Sequence, residues 1–325
     1  MDPSNTTYSS LARELANRSL MAVVLESTIA FLMLFLGFSG NVLVCLAVCR
    51  NPALRTSCNY LIVSLAITDV AMMLCCSPFS LVVVITGRMI FPDLLCQAQA
   101  YMILAFASIS LVTLTQATIY RYLKVVHPAR CFNIQTVRLV ITLTWILFLF
   151  FPSVYFFSEK AMFYPGELYC FIRIEEMSKV LVLTATLIFS VIPLSIITFC
   201  YSMVFAKVRK HKQNTRKNIH ASTRRPQASH FSPEEARVTM ILVAVVIGFV
   251  ICWTPVFCVR LLSFYKVSLP RKVHLMSTAF AAMSSCVNPF IYGVLNRDFK
   301  NEFKKILARF SCRSVVVAPA CDQHP

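Results

Sequence analysis

Charged residues are scarce in this sequence of 325 residues, of which 58% are hydrophobic and only 14% are charged. A soluble domain carries about 25% charged residues and about 45–50% apolar ones. The deficit excludes an ordinary soluble domain and indicates that much of the chain lies in a bilayer. Glycine and proline are also few, at 6 and 15 residues, which argues against a fibrous or disordered chain.

Long hydrophobic runs are what the sequence has instead. A membrane-spanning helix needs about 20 mostly apolar residues, and seven stretches meet this requirement. They are Ser27–Cys49, Thr56–Thr86, Leu95–Tyr120, Leu139–Ser158, Val180–Phe205, Val238–Val259 and Val273–Asn296, and the only Asp, Glu, Lys or Arg within them is Asp69. Barrel strands would alternate apolar and polar residues over about 10 positions. The runs therefore predict an all-α fold, a seven-transmembrane helix bundle.

Basic residues are concentrated on one side of the predicted membrane. With Met1 outside, the inner segments hold 21 Lys and Arg against five acids, and the outer segments hold ten against eight. Cytoplasmic loops carry such an excess, so we expect a multi-pass plasma-membrane protein with an extracellular N-terminus. The topology explains the charge without nucleic acid as a partner. It predicts an extracellular tail over 1–26, the bundle over 27–296, an amphipathic helix over 297–310 and a cytoplasmic tail over 311–325.

Several residues outside the bundle fit this topology. Asn5 and Asn17 begin glycosylation triplets on the outer tail. Of 14 cysteines, only Cys96 and Cys170 lie on the outer side of the predicted membrane or at the outer end of a helix. They are the single candidate pair in the compartment where disulfides persist.

The inner side carries two further expectations. Apolar residues recur at helical spacing among cations after the last span, at Phe299, Phe303, Ile306 and Leu307. This pattern predicts an amphipathic helix on the inner membrane surface, and Cys312 beyond it is a candidate for palmitoylation. The basic segment 207–225 is expected to be the third inner loop, next to anionic lipid and to an intracellular partner.

Each span also carries an unusual residue or motif that a lipid anchor would not need. In chain order these are Gly40-Asn41, Asp69, Tyr120-Arg121-Tyr122, Trp145, Pro193 with Tyr201, Cys252-Trp253-Thr254-Pro255 and Asn288-Pro289-Phe290-Ile291-Tyr292. With Cys96 placed 25 residues before Arg121, the set resembles the rhodopsin-like family of G-protein-coupled receptors over residues 27–310. The segment 87–97 is also similar to opsins and melatonin receptors.

The resemblance implies a receptor that passes an extracellular ligand signal to heterotrimeric G proteins. The main alternative is a seven-helix transporter, but transporters favour internal repeats and no convincing repeat relates the two halves. An enzyme is not expected. A zinc hydrolase needs converging His, Cys or carboxylate ligands, whereas all six histidines lie outside the apolar cores and Asp69 is the only carboxylate within them.

The resemblance places the ligand pocket between the outer halves of the third, fifth, sixth and seventh helices. The candidate residues are Ile103, Leu104, Ala107, Val256, Phe257, Arg260 and Thr278. Ile103 stands where amine receptors carry Asp, and Ala282 stands where opsins carry the retinal lysine, so neither a protonated amine nor covalent retinal is expected. Arg260 either meets a carboxylate or phosphate or snorkels to the interface. The ligand class stays open between a non-amine small molecule, a lipid and a peptide.

Asp69 is a carboxylate near mid-membrane, where an ionisable group is costly and suggests function. The resemblance implies a sodium site formed with Ser110, Ser285 and Asn288, and no other cofactor. The alternative is a structural hydrogen-bond node joining Asn41, Asp69 and Asn288.

The resemblance also implies a set of activation residues. They are Arg121, Tyr120, Glu235, Trp253, Pro255, Tyr201, Asn288, Pro289 and Tyr292. Proline bends the sixth helix below the ring of Trp253, which can then respond to a ligand above it. The family usually carries an acid before Arg121, but here the residue is Tyr120. We therefore expect Glu235, with Glu234 as its nearest substitute, to hold Arg121 in the resting state.

Overall fold

The computed structural model describes residues 3–150, 161–173, 178–220 and 233–313, which are mostly helical. The helices are α1 (Pro3–Ala16), α2 (Leu20–Arg50), α3 (Ser57–Cys75), α4 (Ser77–Thr86), α5 (Asp93–Val126), α6 (Ile134–Phe150), α7 (Lys179–Thr186), α8 (Ile192–His220), α9 (Pro233–Phe264), α10 (Arg271–Leu295) and α11 (Arg297–Arg313). Short 3₁₀ turns lie at Pro52–Leu54 and Pro128–Arg130, and a π-helical turn lies at Leu187–Val191.

These helices form the predicted seven-transmembrane bundle. The first span is α2, the second α3 with α4, the third α5, the fourth α6, the fifth α7 with α8, the sixth α9 and the seventh α10. Within the described residues, six of these spans are long and apolar enough to cross a membrane, judged by length and composition alone, and α6 is a shorter apolar helix. The predicted fourth span runs on to Ser158, but 151–160 lie outside the described residues.

Prolines explain where the spans break or bend. Proline lacks the amide hydrogen that a helix interior needs, and Pro78 lies in the first turn of α4, directly after α3 ends. Pro255 and Pro289 lie inside the sixth and seventh spans. Pro193 follows the π-helical turn of the fifth span, and such turns are often found at functional sites.

Two boundaries differ from the sequence expectation. Residues 1–26 were expected to form a tail, but the described part contains α1 and the first turns of α2, which is capped by Ser19. The third inner loop was expected to begin at Lys207, but α8 continues to His220. Lys and Arg have good helix propensity. The fall in hydropathy at Lys207 therefore marked the end of the membrane span, whereas the helix itself continues.

A β-hairpin lies between the fourth and fifth spans. Strands β1 (Ala161–Tyr164) and β2 (Tyr169–Ile172) pair antiparallel, with Phe163 opposite Cys170. Gly166 in the turn approaches the seventh span so closely that an added Cβ would lie 2.9 Å from His274. The hairpin is therefore seated directly on the outer end of the bundle.

The amphipathic helix α11 closes the inner end. Phe299, Phe303 and Ile306 are buried and join the apolar cluster formed by the inner halves of the first and second spans. The ring of Phe299 lies 5.7 Å from that of Tyr292. These residues confirm the predicted apolar face, except that Leu307 remains exposed.

Candidate functional site

A cavity of about 360 Å³ occupies the outer half of the bundle. Four of the predicted pocket residues line it: Ile103, Ala107, Val256 and Thr278. Its walls come from the first, second, third, sixth and seventh spans and from the hairpin, and no described residue of the fifth span contributes. The cavity therefore lies closer to the first and second spans than the position expected for the ligand, between the third, fifth, sixth and seventh spans. The ligand position itself stays a prediction.

Three other predicted pocket residues do not line the cavity. Phe257 is 49% exposed on the outer surface of the sixth span. Leu104 accepts a hydrogen bond from Ser108 within its own helix. Arg260 is buried and turns towards the hairpin. Helical spacing alone could not assign these side chains to a face, because nearly every position of these spans is apolar.

Arg260 forms a buried ion pair with Glu167 of the hairpin turn. Its guanidinium also donates to the Tyr169 hydroxyl at 3.2 Å and lies 4.3 Å and 4.7 Å from the ring centres of Tyr164 and Phe171. Aromatic faces stabilise such a cation. This geometry differs from both alternatives for Arg260, because the side chain is buried and meets a carboxylate of the chain itself.

Glu167 also joins the hairpin to the seventh span. Nδ1 of His274 lies 3.4 Å from its carboxylate, and the Thr278 hydroxyl donates to its backbone carbonyl at 3.0 Å. Burial by itself would raise the pKa of Glu167, but the charge of Arg260 and the hydrogen bond from His274 outweigh burial, so the pKa lies below its ordinary value. Glu167 is therefore ionised at neutral pH and locks the hairpin to two spans.

The predicted disulfide between Cys96 and Cys170 is confirmed and joins the third span to β2. Gln99, one turn further along the third span, accepts a hydrogen bond from the Cys170 amide at 2.9 Å. The same side chain donates to the Cys76 carbonyl at 3.0 Å, where the second span breaks. The hairpin is thus fixed to the third span by one covalent and one polar contact.

The inner end of the cavity is polar. Asp69, Ser110, Ser285 and Asn288 all line it. The Ser285 hydroxyl donates to one carboxylate oxygen of Asp69 at 2.7 Å, and the Asn288 amide donates to the other at 3.0 Å. In the described parts of the chain, no Lys, Arg or His side chain forms an ion pair with Asp69. The structure therefore gathers the four residues expected at a cation site around one uncompensated carboxylate.

Asn41 completes this polar cluster from the first span. Its amide donates to the carbonyls of Gly37 and Ser285, at 2.7 Å and 2.8 Å. Its own oxygen is buried and has no hydrogen-bond partner among the described residues. A buried acceptor without a partner is costly, so this region offers an oxygen in addition to the carboxylate and the hydroxyls.

Trp253 lies in the cavity wall above Pro255 of the sixth span. Its ring stacks on Phe249, with centroids 5.6 Å apart, and its Nε1 is buried without a hydrogen-bond partner among the described residues. A stacked ring without a polar anchor can shift when the space beside it is filled. The geometry agrees with the predicted position of Trp253.

Arg121 lies at the inner end of the bundle and is almost fully buried. It donates to the Thr239 hydroxyl at 2.9 Å and to the backbone carbonyl of Glu235. A carboxylate oxygen of Glu235 lies 3.9 Å from Nζ of Lys124, and no ion pair with Arg121 is found among the described residues. The contacts of Arg121 use the Glu235 carbonyl and the hydroxyl one turn later, and the expected restraint by the Glu235 carboxylate stays a prediction.

The tyrosines of the predicted activation set are all buried in the bundle. Tyr120 and Tyr201 belong to one apolar cluster between the third, fifth and sixth spans. Tyr292 packs against α11, and Pro289 lies against Gly40, where an added Cβ would be 2.9 Å away. In the described chain, the hydroxyls of Tyr201 and Tyr292 are buried without a hydrogen-bond partner.

The predicted modification sites give less information. Asn17 is exposed just after α1. Asn5 lies in α1, and Cys312 and Glu234 lie in α11 and α9, but the side chains of these three fall outside the described residues. Their roles stay predictions.

Sequence reasoning missed a second charged cluster at the outer end of the first and seventh spans. Arg271 donates to both carboxylate oxygens of Glu26, at 2.9 Å and 2.5 Å, and Arg18 donates to the same carboxylate at 2.5 Å. Arg18 also donates to the Val84 carbonyl at 2.5 Å. The available signal was an acid directly before the first apolar run, but no pattern showed its distant partners.

Comparisons with known proteins agree on one family. The model of the 7 transmembrane receptors of the rhodopsin family matches residues 40–292. The chain is 28% identical to the Allatostatin-A receptor of Bombyx mori, covering 94% of this chain and 86% of that protein. It is 27% identical to the Melatonin receptor type 1B of Rattus norvegicus, covering 87% and 77%. It is 28% identical to the Somatostatin receptor type 1 of Rattus norvegicus, covering 88% and 72%.

A solved structure gives the same fold. The crystal structure of squid rhodopsin superposes with a TM-score of 0.75 and covers 92% of this chain and 93% of that chain. The sequence identity is 16%, so this likeness concerns the fold alone.

Proposed function

This chain belongs to the rhodopsin family of seven-transmembrane receptors, and on that premise we propose that it recognises a small, mostly apolar ligand inside the bundle. It is a G-protein-coupled receptor, a multi-pass membrane protein with a ligand and a heterotrimeric G protein as partners. The family is a receptor family and not an enzyme class, and the transporter alternative is not supported.

We infer that the receptor lies in the plasma membrane with its N-terminus outside. The basic excess of the opposite side supports this orientation. So does the disulfide Cys96–Cys170, because it lies at the same end of the bundle as α1 and disulfides persist outside the cytosol. The basic, amphipathic α11 would then lie against anionic lipid of the inner leaflet.

The cavity is the observation that carries the proposed ligand class. Small-molecule sites are mostly apolar cavities with a few polar groups that fix orientation. This cavity is mostly apolar, with Asp69 and its neighbours at the inner end and Glu26 among the few other polar residues of its lining. The hairpin covers its outer side with Leu168, Tyr169 and Phe171. Such a cover favours a small ligand, as melatonin receptors bind, over the peptides named for the allatostatin and somatostatin receptors.

Two cavity residues narrow the ligand chemistry further. Ile103 and Ala282 both line the cavity. Ile103 offers no carboxylate to a protonated amine, and Ala282 offers no amine for a Schiff base with retinal. The ligand proposed here is therefore neither a monoamine nor a covalently bound aldehyde.

The proposed mechanism joins the cavity to the inner end through the sixth span. A ligand in the cavity displaces the ring of Trp253, which sits above the bend at Pro255. A ligand shifts an equilibrium only by binding one state better, and here the better-bound state is the one in which the inner half of the sixth span has left Arg121. The contacts of Arg121 with Thr239 and Glu235 are those that must break.

A sodium ion at Asp69 is the second proposal. The carboxylate of Asp69 and the hydroxyls of Ser110 and Ser285 are hard oxygen donors, which suit such a cation. The unpartnered oxygen of Asn41 supports the same site. A bound cation would compensate the buried charge and hold the first, second, third and seventh spans together in the resting state.

The ligand proposal is tested by filling the cavity. Lipid, acidic-metabolite and peptide sets are screened on cells that carry the receptor and several G-protein reporters. Ala107→Trp should reduce the potency of an agonist at least tenfold at equal surface expression, whereas Ala98→Trp, outside the cavity lining, should not. A peptide agonist whose potency is unchanged by Ala107→Trp would contradict the proposed site.

A further inference from the structure

We propose that the cavity opens sideways into the bilayer between the first and seventh spans, and that its ligand is a single-chain lipid taken from the outer leaflet. This inference rests on the proposed function, since it names the ligand class and the entry route of the same cavity. Four features carry it: the exposure of the lining, the two contacts that frame the opening, the cover on the water side and the chemistry of the walls.

Exposure of the lining points to one side of the bundle. Among the residues that line the cavity, only Ile29 of the first span and Met276 of the seventh are exposed, at 42% and 60%. Both are apolar and belong to spanning helices, so their exposed surface faces lipid tails. A side chain that borders both the cavity and the lipid marks the place where the two communicate.

Two contacts frame this opening. At the outer end, Arg271 of the seventh span donates two hydrogen bonds to the Glu26 carboxylate of the first span. Further in, the thiol of Cys286 donates to the Met33 carbonyl at 3.2 Å. Met33 lies seven positions after Glu26, which is about 10 Å along the helix at about 1.5 Å a residue. Ile29 and Met276 lie within that interval.

The cavity lining from these two helices includes small side chains at the same level. Ala30 of the first span and Ala279 of the seventh both line the cavity inside the frame. Closer packing begins further in, where Gly40 lies so near the seventh span that an added Cβ would be 2.9 Å from Pro289. The proposed opening is therefore limited to the outer half of the two helices.

The water side of the cavity is closed in two layers. Leu168 of the hairpin lines the cavity and is buried. Leu15 of α1 is only 1% exposed and packs with Leu168, Val83 and Val84 in one apolar cluster. Arg18, two residues after the end of α1, donates a hydrogen bond to the Val84 carbonyl of the second span. A ligand arriving from water would have to displace both layers, whereas one arriving from lipid meets only flexible side chains.

The chemistry of the walls fits the tail and the head of such a lipid. The lining beside the opening is aliphatic, with Ile29, Ala30 and Met276, so it suits a hydrocarbon chain. At the outer end, Arg18 and Arg271 share the single carboxylate of Glu26, which leaves a net charge of +1. Nε of Arg271 has no hydrogen-bond partner in the described parts of the chain. This cluster can receive the oxygen atoms of a headgroup.

The test uses purified receptor in lipid nanodiscs that contain a fatty acid with a diazirine in its chain. After illumination, the labelled residues are mapped by mass spectrometry. The parent should be labelled inside the cavity, at Met72 or Trp253, and an excess of ordinary fatty acid should compete. Labelling confined to the outer, lipid-facing surface of the parent would overturn the proposal without any variant.

Blocking variants then test the route. Met276→Trp and Ile29→Trp should each lower cavity labelling at least fivefold, since an indole fills the gap between the helices. Val294→Trp and Val24→Trp, at exposed positions of the same two helices outside the lining, should change it less than twofold. Thermal unfolding of each variant confirms that it is folded. Unchanged cavity labelling in both blocking variants would reject the lateral entrance.

The labelling experiment distinguishes failure of the lateral entrance from failure of the proposed function. Labelling is read without any G protein, so a receptor that takes up the probe but activates no reporter would refute only the signalling mechanism. A receptor that signals to a water-soluble ligand while its cavity stays unlabelled would refute only the lipid and its route.

Discussion

Arg260 and Glu167 show how a single residue pair decides the shape of the outer surface. An arginine in an otherwise apolar span predicts some anion, but the sequence offers several outer acids and cannot choose among them. The structure pairs Arg260 with Glu167 and surrounds the guanidinium with aromatic rings. Removing one partner of a buried ion pair leaves the other uncompensated, which costs about 3–5 kcal/mol.

Glu167→Gln should therefore lower the thermal unfolding midpoint of the purified receptor at pH 7, while Glu14→Gln, at an exposed outer position, should leave it nearly unchanged. The folded-state pKa of Glu167 lies below its ordinary value, which is about 4.3. Its contribution is complete above that pH and is lost as the pH falls through the folded-state pKa. The difference between parent and variant should begin to shrink as the pH falls below about 4 and should be lost below the folded-state pKa of Glu167. A difference that does not shrink at all with falling pH would exclude the charge as its cause.

Thr239 is the residue whose importance the sequence did not indicate at the inner end. Its hydroxyl and the Glu235 carbonyl are the acceptors of Arg121. Thr239→Ala removes one acceptor from a buried cation, and a hydrogen bond to a charged group is worth about 1.5–3 kcal/mol. Ligand-free signalling should rise about tenfold or more at equal surface expression, since about 1.4 kcal/mol is tenfold.

The matched control is Thr254→Ala in the same helix, where the hydroxyl only contacts its own backbone. Glu235→Gln keeps the carbonyl contact and should raise basal signalling less than Thr239→Ala. Tyr120→Asp places a carboxylate next to Arg121 and should lower it. If Glu235→Gln raised basal signalling more than Thr239→Ala, the side chain of Glu235 would be the main restraint on Arg121.

At the scale of elements, the hairpin depends on the link between Cys96 and Cys170. The link closes a loop of 74 residues, for which the chain-entropy model gives about 4 kcal/mol. Cys170→Ser should lower the thermal midpoint and increase hydrogen exchange in β1 and β2. Cys258→Ser, an exposed free cysteine of the sixth span, provides the control. Unchanged exchange in Cys170→Ser would mean that Gln99 and Glu167 alone hold the hairpin.

Elements differ in how far their sequence determines them. The apolar spans were predictable because a bilayer allows little besides a helix, and the face of α11 was predictable from its spacing. Helix α1 was not, because its burial depends on Leu15 reaching Leu168, a contact across more than 150 residues. The extension of α8 beyond Lys207 was missed because hydropathy indicates which residues lie in the membrane and does not indicate where a helix ends.

At the scale of the whole molecule, the polar cluster was predictable and the cavity above it was not. The resemblance to the receptor family implied that Asp69, Ser285 and Asn288 lie together, and the structure joins them by hydrogen bonds. The cavity depends instead on which apolar side chains face inward, and on the hairpin and α1 that cover it. Its shift towards the first and second spans follows from this tertiary packing, which no single span encodes.

The cluster at Asp69 leads to the last prediction, because its hydrogen bonds join three spans. The carboxylate links the second span to the seventh, and Asn41 links the first span to the seventh. A ligand that binds only the folded resting state stabilises it by RT ln(1 + [L]/Kd), about 1.4 kcal/mol at ten times the Kd. Sodium chloride should therefore raise the thermal midpoint of the purified, ligand-free receptor above that in choline chloride at equal ionic strength. Asp69→Asn should abolish the difference, and Ser285→Ala should reduce it.

Ser284→Ala is the matched control, since that hydroxyl also lines the cavity but donates only to the Ala281 carbonyl. The sodium effect should survive in this variant. If the parent melts at the same temperature in both salts, Asp69 serves as a structural node that joins the seventh span to the second, and sodium has no part in it. If Ser284→Ala loses the effect as fully as Ser285→Ala, the ion binds higher in the cavity than the carboxylate suggests.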